Sequence, residues 1–310
     1  MPVSHLALSA EVADALASGR PVVALESTIV THGLPFPGNL ATARAVEAAV
    51  RDGGAVPATI AVLDGAIRVG LDDATLETLA RAEGVMKLSR ADLAFAVATR
   101  RTGSTTVAAT MIAAHLAGIE VFATGGIGGV HRGAETSFDV SADLEELART
   151  PVVVVSAGAK AILDLSKTLE VLETRGVPVV GWQTDDFPAF WSRVSGLPAP
   201  LRLDDPGELA RFWRIRRDLG IGGGLLLANP VPQEAEIPRA EMEVVIARAV
   251  AEAETAGIRA KTVTPFLLAR IEKLTEGRSL TTNRALILSN ARLAATVAAA
   301  LKSLTAQNSR

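Results

Sequence analysis

Short runs of β-branched and aliphatic residues alternate with helix-period patterns along the whole chain, and most runs end in a loop rich in small or turn-forming residues. Val152–Val155 is the clearest run, apolar at every position, as in a strand buried on both faces. Pro21–Leu25, Ala58–Leu63, Gly118–Ala123, Val177–Gly181 and Gly224–Ala228 read the same way. Asp64-Gly65 separates Ala58–Leu63 from Ala66–Val69 and predicts a tight hairpin. Between the runs, helical spacing predicts helices over Leu40–Asp52 (with Asn39 as its cap), Asp73–Glu83 and Thr105–Ala117. Later helices are predicted over Pro206–Asp218, Arg239–Ala256, Thr264–Thr275 and Thr281–Leu304. This alternation predicts an α/β protein with a mainly parallel sheet covered on both faces. Ligands in such folds gather at the carboxyl ends of the strands.

No stretch has the composition of a flexible linker, and the alternation continues past the one candidate break, Phe187–Pro206, so a single domain over 1–310 is expected. The 49% hydrophobic content supplies a large core. Lysines and arginines are scattered, with a net charge of -3, and there is no tyrosine. A nucleic-acid polymer is therefore not the expected partner. The absence of cysteine excludes disulfides, thiolate metal sites and cysteine nucleophiles. The start MPVSHLALSAEVADAL lacks the basic and apolar segments of a signal peptide. No apolar run approaches the roughly 20 residues of a membrane span. A soluble, cytoplasmic protein without a membrane partner is expected.

Lys160, in TPVVVVSAGAKAILDL, follows a strand and stands at or just before a predicted helix start. A helix dipole there opposes an ammonium and favours the neutral amine, which attacks carbonyl carbons. A surface lysine or a phosphate clamp is the simpler reading. Glu26 opens the loop ESTIVTHGLPFPGN, either as a partly desolvated general acid or as a loop carboxylate bonded to Ser27 or Thr28. His32 is a second acid/base candidate in that loop.

ATGGIGGVHRG offers successive unhindered amides, an anion nest, with His131 and Arg132 suited to phosphate. It is no dinucleotide fingerprint, because His131 takes the third glycine position and no helix opens at once. Ser141 is a good cap for a helix starting at Ala142, and Asp143 complements its dipole. Asp139, in irregular chain before it, suits magnesium or manganese retaining most of its waters. Gly103–Thr106 reads as a helix N-terminus, suited to phosphate or to plain capping. Lys87, in VMKLSRADLA, could assist an amine nucleophile or hold a phosphate.

Together ALESTIVTHGLPFPGN, TIAVLDGAIRVGL, KLSRADLA, TGSTTVAATM, ATGGIGGVHRG, FDVSADLEEL and TPVVVVSAGAKAILDL resemble the pseudouridine-5'-phosphate glycosidase family, also called indigoidine synthase A-like. The likeness runs from about Leu8 to the last helix, in uninterrupted order. It implies a three-layer α/β/α domain, commonly trimeric. It also implies reversible cleavage of pseudouridine 5'-phosphate to uracil and ribose 5-phosphate with a divalent ion, typically Mn2+. On this chain the resemblance makes Lys160 the nucleophile and Glu26 the proton donor. It assigns substrate binding to Lys87, Val107 and Ser141–Ala142–Asp143, with His131 and Asn283 also at the site, and the metal to Asp139. From the residues alone, a lysine-dependent aldolase or a silent sugar-phosphate sensor would use the same groups.

Overall fold

The computed structural model describes residues 5–258 and 263–308. The first half holds β1 (Leu6–Leu8), α1 (Ala10–Ala17), β2 (Val22–Leu25), α2 (Gly38–Asp52), β3 (Val56–Leu63), β4 (Ala66–Val69) and α3 (Asp73–Arg81). It continues through β5 (Met86–Leu88), α4 (Arg90–Ala98), β6 (Gly103–Thr105), α5 (Val107–Ala117), β7 (Val121–Ala123), α6 (Ala134–Ser137) and α7 (Ala142–Arg149). The second half holds β8 (Val153–Ser156), α8 (Leu165–Thr174), β9 (Val179–Trp182), β10 (Leu201–Leu203), α9 (Pro206–Asp218) and β11 (Leu225–Ala228). Three helices follow: α10 (Arg239–Thr255), α11 (Val263–Leu274) and α12 (Arg278–Asn308).

Seven strands, in the order β3-β2-β7-β8-β11-β9-β10, form a wholly parallel sheet. β3 runs on past it and pairs antiparallel with β4 and β6, which bring in β1 and β5. The predicted hairpin turns at Asp64 and Gly65, both at positive φ. β11, past the candidate break at Phe187–Pro206, pairs with β8 and β9 from before it, so the chain beyond the break stays in the same sheet. β2, β7, β8 and β11 are buried at every residue, which is why they read as unbroken apolar runs.

Helices cover the sheet on both sides. α12 packs across β2, β7 and β8 beside α2 and α9, while α5, apolar nearly all round, packs on β2 and β7. Over Arg278–Leu304, α12 is long and apolar enough to cross a membrane, contrary to the sequence expectation. Its alanines and leucines instead make the seam with the sheet, and half of its most apolar window is buried.

Two local expectations are corrected. Gly103–Thr105 is a strand, and α5 starts only at Val107, with Thr106 as its cap. Asn39 does not cap α2. It lies inside the first turn, buried, and donates to Val30 O (2.6 Å) and Ala80 O (2.8 Å) while accepting from Leu40 N (2.7 Å). It thereby fastens the π-helical turn Ile29–Gly33 to α3. Asn39→Ala strips two buried carbonyls of their donor. An unfolding titration in urea is expected to show a loss of about 3 kcal/mol, and a loss below about 0.5 kcal/mol would contradict this role.

Candidate functional site

Glu26 is the first residue past β2, Thr124 the first past β7, and Lys160 the fourth past β8. These three strands are adjacent and parallel, so their loops emerge side by side at one edge. The ends of β2 and β8 stand two strand spacings apart, about 10 Å, leaving room for a small sugar. Both Glu26 and Lys160 are half-buried.

The Glu26 carboxylate accepts hydrogen bonds from the Thr28 and Thr124 hydroxyls, one on each oxygen. Lys160 Nζ donates to the Gly126 carbonyl at 2.8 Å. The loop after β7 thus touches both groups. From the other side Asn290, buried on α12, donates to Thr124 O at 2.8 Å. Its own Oδ1 accepts from Asn229 Nδ2 at 2.9 Å, past the end of β11.

The helix expected at Lys160 begins later. Asp164 is the cap of α8, its carboxylate accepting from Lys167 N at 3.0 Å, so Lys160 stands four residues before the cap. A helix dipole fades within one turn, so the dipole argument made from the sequence does not apply to Lys160. Ile162 and Leu163 are core residues of the intervening turn, which is why their spacing imitated a helix.

The glycine-rich segment is a looped excursion closed at its base. Val130 bridges to Val140, Ser141 N donates to Gly129 O (3.0 Å), and His131 N to Asp139 O (3.0 Å). Asp143 is 6% exposed and each of its oxygens accepts one backbone amide. Oδ1 accepts from Ala108 N (3.0 Å) in the first turn of α5, and Oδ2 from Gly128 N (2.8 Å). It ties the glycine loop to a helix start. Ser141 caps α7 as expected, accepting from Asp143 N at 3.2 Å, and Ala142 is exposed at its first turn. The Val107 side chain is buried, so only its backbone amide, at the N-terminus of α5, is suited to an anion.

A second polar group surrounds β6. Lys87 on β5 is in register with Ser104 on β6. Thr31 Oγ1 donates to Ser104 Oγ (2.8 Å) and lies 2.6 Å from His32 Nδ1. Partial desolvation of the ring, then the nearby Lys87 charge, holds the His32 pKa below its usual value, so the imidazole is neutral at pH 7.

Asp139 is half-buried, with Oδ2 4.0 Å from His131 Nδ1. Among the described residues no three histidine or acidic side chains gather as a metal cage. One carboxylate with an imidazole beside it fits an ion that keeps most of its waters. Asn283, on α12, accepts at Oδ1 from Trp191 Nε1 at 2.7 Å.

Thr28 is bonded to Glu26 as one reading of the loop had it, whereas the sequence reading missed the roles of Thr124, Gly126, Trp191 and Asn290. A signal for Asn290 was available: it stands seven residues after Asn283, on the same face of α12.

A lysine and a carboxylate at parallel strand ends on either side of β7, beside glycine-rich and helix-start amides, define an α/β enzyme with a site suited to small anionic molecules. The chain belongs to the indigoidine synthase A-like family, whose model matches residues 11–300. A pseudouridine-5'-phosphate glycosidase of Paracoccus denitrificans is 69% identical over 96% of this chain and 98% of its own. One of Solibacter usitatus is 66% identical over 96% and 100%. Among solved structures, the prealnumycin C-glycosynthase AlnA in complex with ribulose 5-phosphate superposes with a TM-score of 0.92. It shares 41% identity over 99% of this chain and 100% of that one. An indigoidine synthase A-like protein of Thermotoga maritima gives 0.87 at 37% identity, covering 96% of each chain.

Proposed function

We propose that the protein is a pseudouridine-5'-phosphate glycosidase, a lyase of nucleotide catabolism that reversibly converts pseudouridine 5'-phosphate and water to uracil and ribose 5-phosphate. The observation that carries this reading is Lys160 Nζ, held at the end of β8 on a carbonyl of the same loop whose threonine holds Glu26. The glycosidase relatives and the C-glycosynthase neighbour support it.

Pseudouridine joins C1' of ribose to C5 of uracil, so protonating a glycosidic heteroatom cannot release the base. Two carboxylates, the equipment for O-glycosides, do not suffice. In the proposed course Glu26 gives a proton to O4' as the C1'–O4' bond breaks, with the base's electrons supporting C1'. The Lys160 amine adds to C1' and gives up one proton to the Glu26 carboxylate. The C1'–C5 bond then breaks, its electron pair stays with the base, and C5 takes a proton. The sugar remains as an iminium on Nζ, and water releases it as the aldehyde of ribose 5-phosphate. Glu26 is the proposed carrier of these protons. The Lys87–Ser104 corner, the α5 amides and the loop around His131 are proposed to hold the phosphate and hydroxyls.

Asp139, with His131 beside it, is the proposed seat of Mn2+. A bound divalent ion would order this loop and polarise the substrate through its waters. Asp139→Ala should raise the Mn2+ concentration for half-maximal activity about tenfold in protein first stripped by chelation, and an unchanged requirement would put the ion elsewhere. By family resemblance the protein is proposed to be a cytoplasmic homotrimer.

The test is an assay of uracil plus ribose 5-phosphate, with Mn2+, followed by ultraviolet absorbance and by mass of the product. Formation of a pseudouridine 5'-phosphate mass is expected. Turnover of an aldol donor–acceptor pair instead would make the protein an aldolase. Ligand-dependent stabilisation with no turnover would make it a sensor.

A further inference from the structure

Trp191 and Phe190 form a rigid corner over the loop that holds Lys160. The Trp191 side chain is 1% exposed, and the two rings meet edge to face with centroids 5.0 Å apart. Phe190 N donates to Ala157 O at 3.1 Å. Its ring lies so close to Gly126 that a Cβ there would stand 2.7 Å from it. Behind them Ile237 N donates to Trp191 O at 3.0 Å. The indole is therefore fixed, and its N–H points at Asn283 Oδ1, 2.7 Å away.

An indole nitrogen only donates, so the amide of Asn283 can turn only its oxygen towards Trp191. Its Nδ2, with two hydrogens, has no protein acceptor among the described residues. The same face of α12 carries Leu286, whose side chain lies 3.4 Å from where a Gly125 Cβ would be, and Asn290, bonded to Thr124 O. Asn283 thus belongs to the row that borders Thr124 and Gly125, in the loop touching both Glu26 and Lys160.

We propose that Trp191 is a positioning residue that caps the oxygen of Asn283 with its N–H and so turns the Nδ2 hydrogens to the substrate, selecting a carbonyl oxygen of the departing base. A freely turning asparagine would accept a ring N–H as readily as it donates to a carbonyl. The cap removes that choice. The identity of the base rests on the function proposed above.

The test is made in the synthetic direction with uracil, 2-thiouracil and 4-thiouracil, whose thiocarbonyls accept hydrogen bonds more weakly. Trp191→Phe keeps a ring and removes the N–H. It should raise KM for uracil about tenfold, leave KM for ribose 5-phosphate and kcat within about twofold, and erase the preference for uracil over one thio-analogue. Asn283→Asp is the second variant: it keeps the indole bond and reverses the other end from donor to acceptor. It should raise KM for uracil at least as much, without loss of melting temperature. An unchanged uracil KM and analogue preference in either folded variant would overturn the proposal. If the unsubstituted protein makes no product from any of the three bases, the function itself is wrong and the assignment of the base falls with it.

Discussion

Lys160→Ala is expected to abolish turnover, by about 10⁵-fold in kcat, while the protein unfolds at the same temperature within about 2 °C, a change of under about 1 kcal/mol. The two halves of this expectation come from different features. Nζ makes one hydrogen bond, to Gly126 O, and the side chain lies half-buried in a loop, so little of the core depends on it. In the proposed chemistry the amine is the group that takes over C1' from the departing carbon. Lys160→Arg is the sharper control. It keeps a cation and a donor for Gly126 O but cannot form an iminium. Activity retained in Lys160→Arg would reduce the lysine to a phosphate clamp, the simpler reading its sequence context allowed.

Glu26→Gln should lower kcat about 10³-fold with little change in ribose 5-phosphate affinity. The amide is isosteric: its oxygen can accept from one threonine hydroxyl and its NH2 can donate to the other, so the network of Thr28 and Thr124 survives with one bond reversed. What is lost is a group that can give and take a proton. Steady-state kinetics separate the cases: a raised KM at unchanged kcat would make Glu26 a binding residue rather than the proton carrier.

The central strands were legible because each is buried on both faces and carries its own apolar run. The strands not anticipated, β1, β5, β6 and β10, are three residues each and owe their conformation to a partner strand. Gly103–Thr105 shows why: glycine and serine carry no strand signal and a single threonine is too short a run to give one, so they are extended because β3 and β5 pair with them. Lys160 was placed correctly after its strand, but its helix was not, because the buried turn of Ile162 and Leu163 has helical spacing. The residues proposed for chemistry could be picked out by motif, whereas those that aim them could not. Trp191 lies 92 positions from Asn283, and Asn290 lies 166 from Thr124. Such pairs meet only through the order of the sheet and the path of α12 across it. Asp143 illustrates the same limit: its place in a first helical turn was legible, but its two amide partners come from distant loops.

The most direct measurement of the central claim is peptide mass spectrometry after borohydride reduction of the protein with ribose 5-phosphate. The sugar aldehyde and an amine lose water to form the iminium, and hydride fixes it. The account predicts that the peptide containing Lys160 gains one reduced pentose phosphate. An adduct on Lys87 in its place, or no adduct in a protein that turns over, would contradict it.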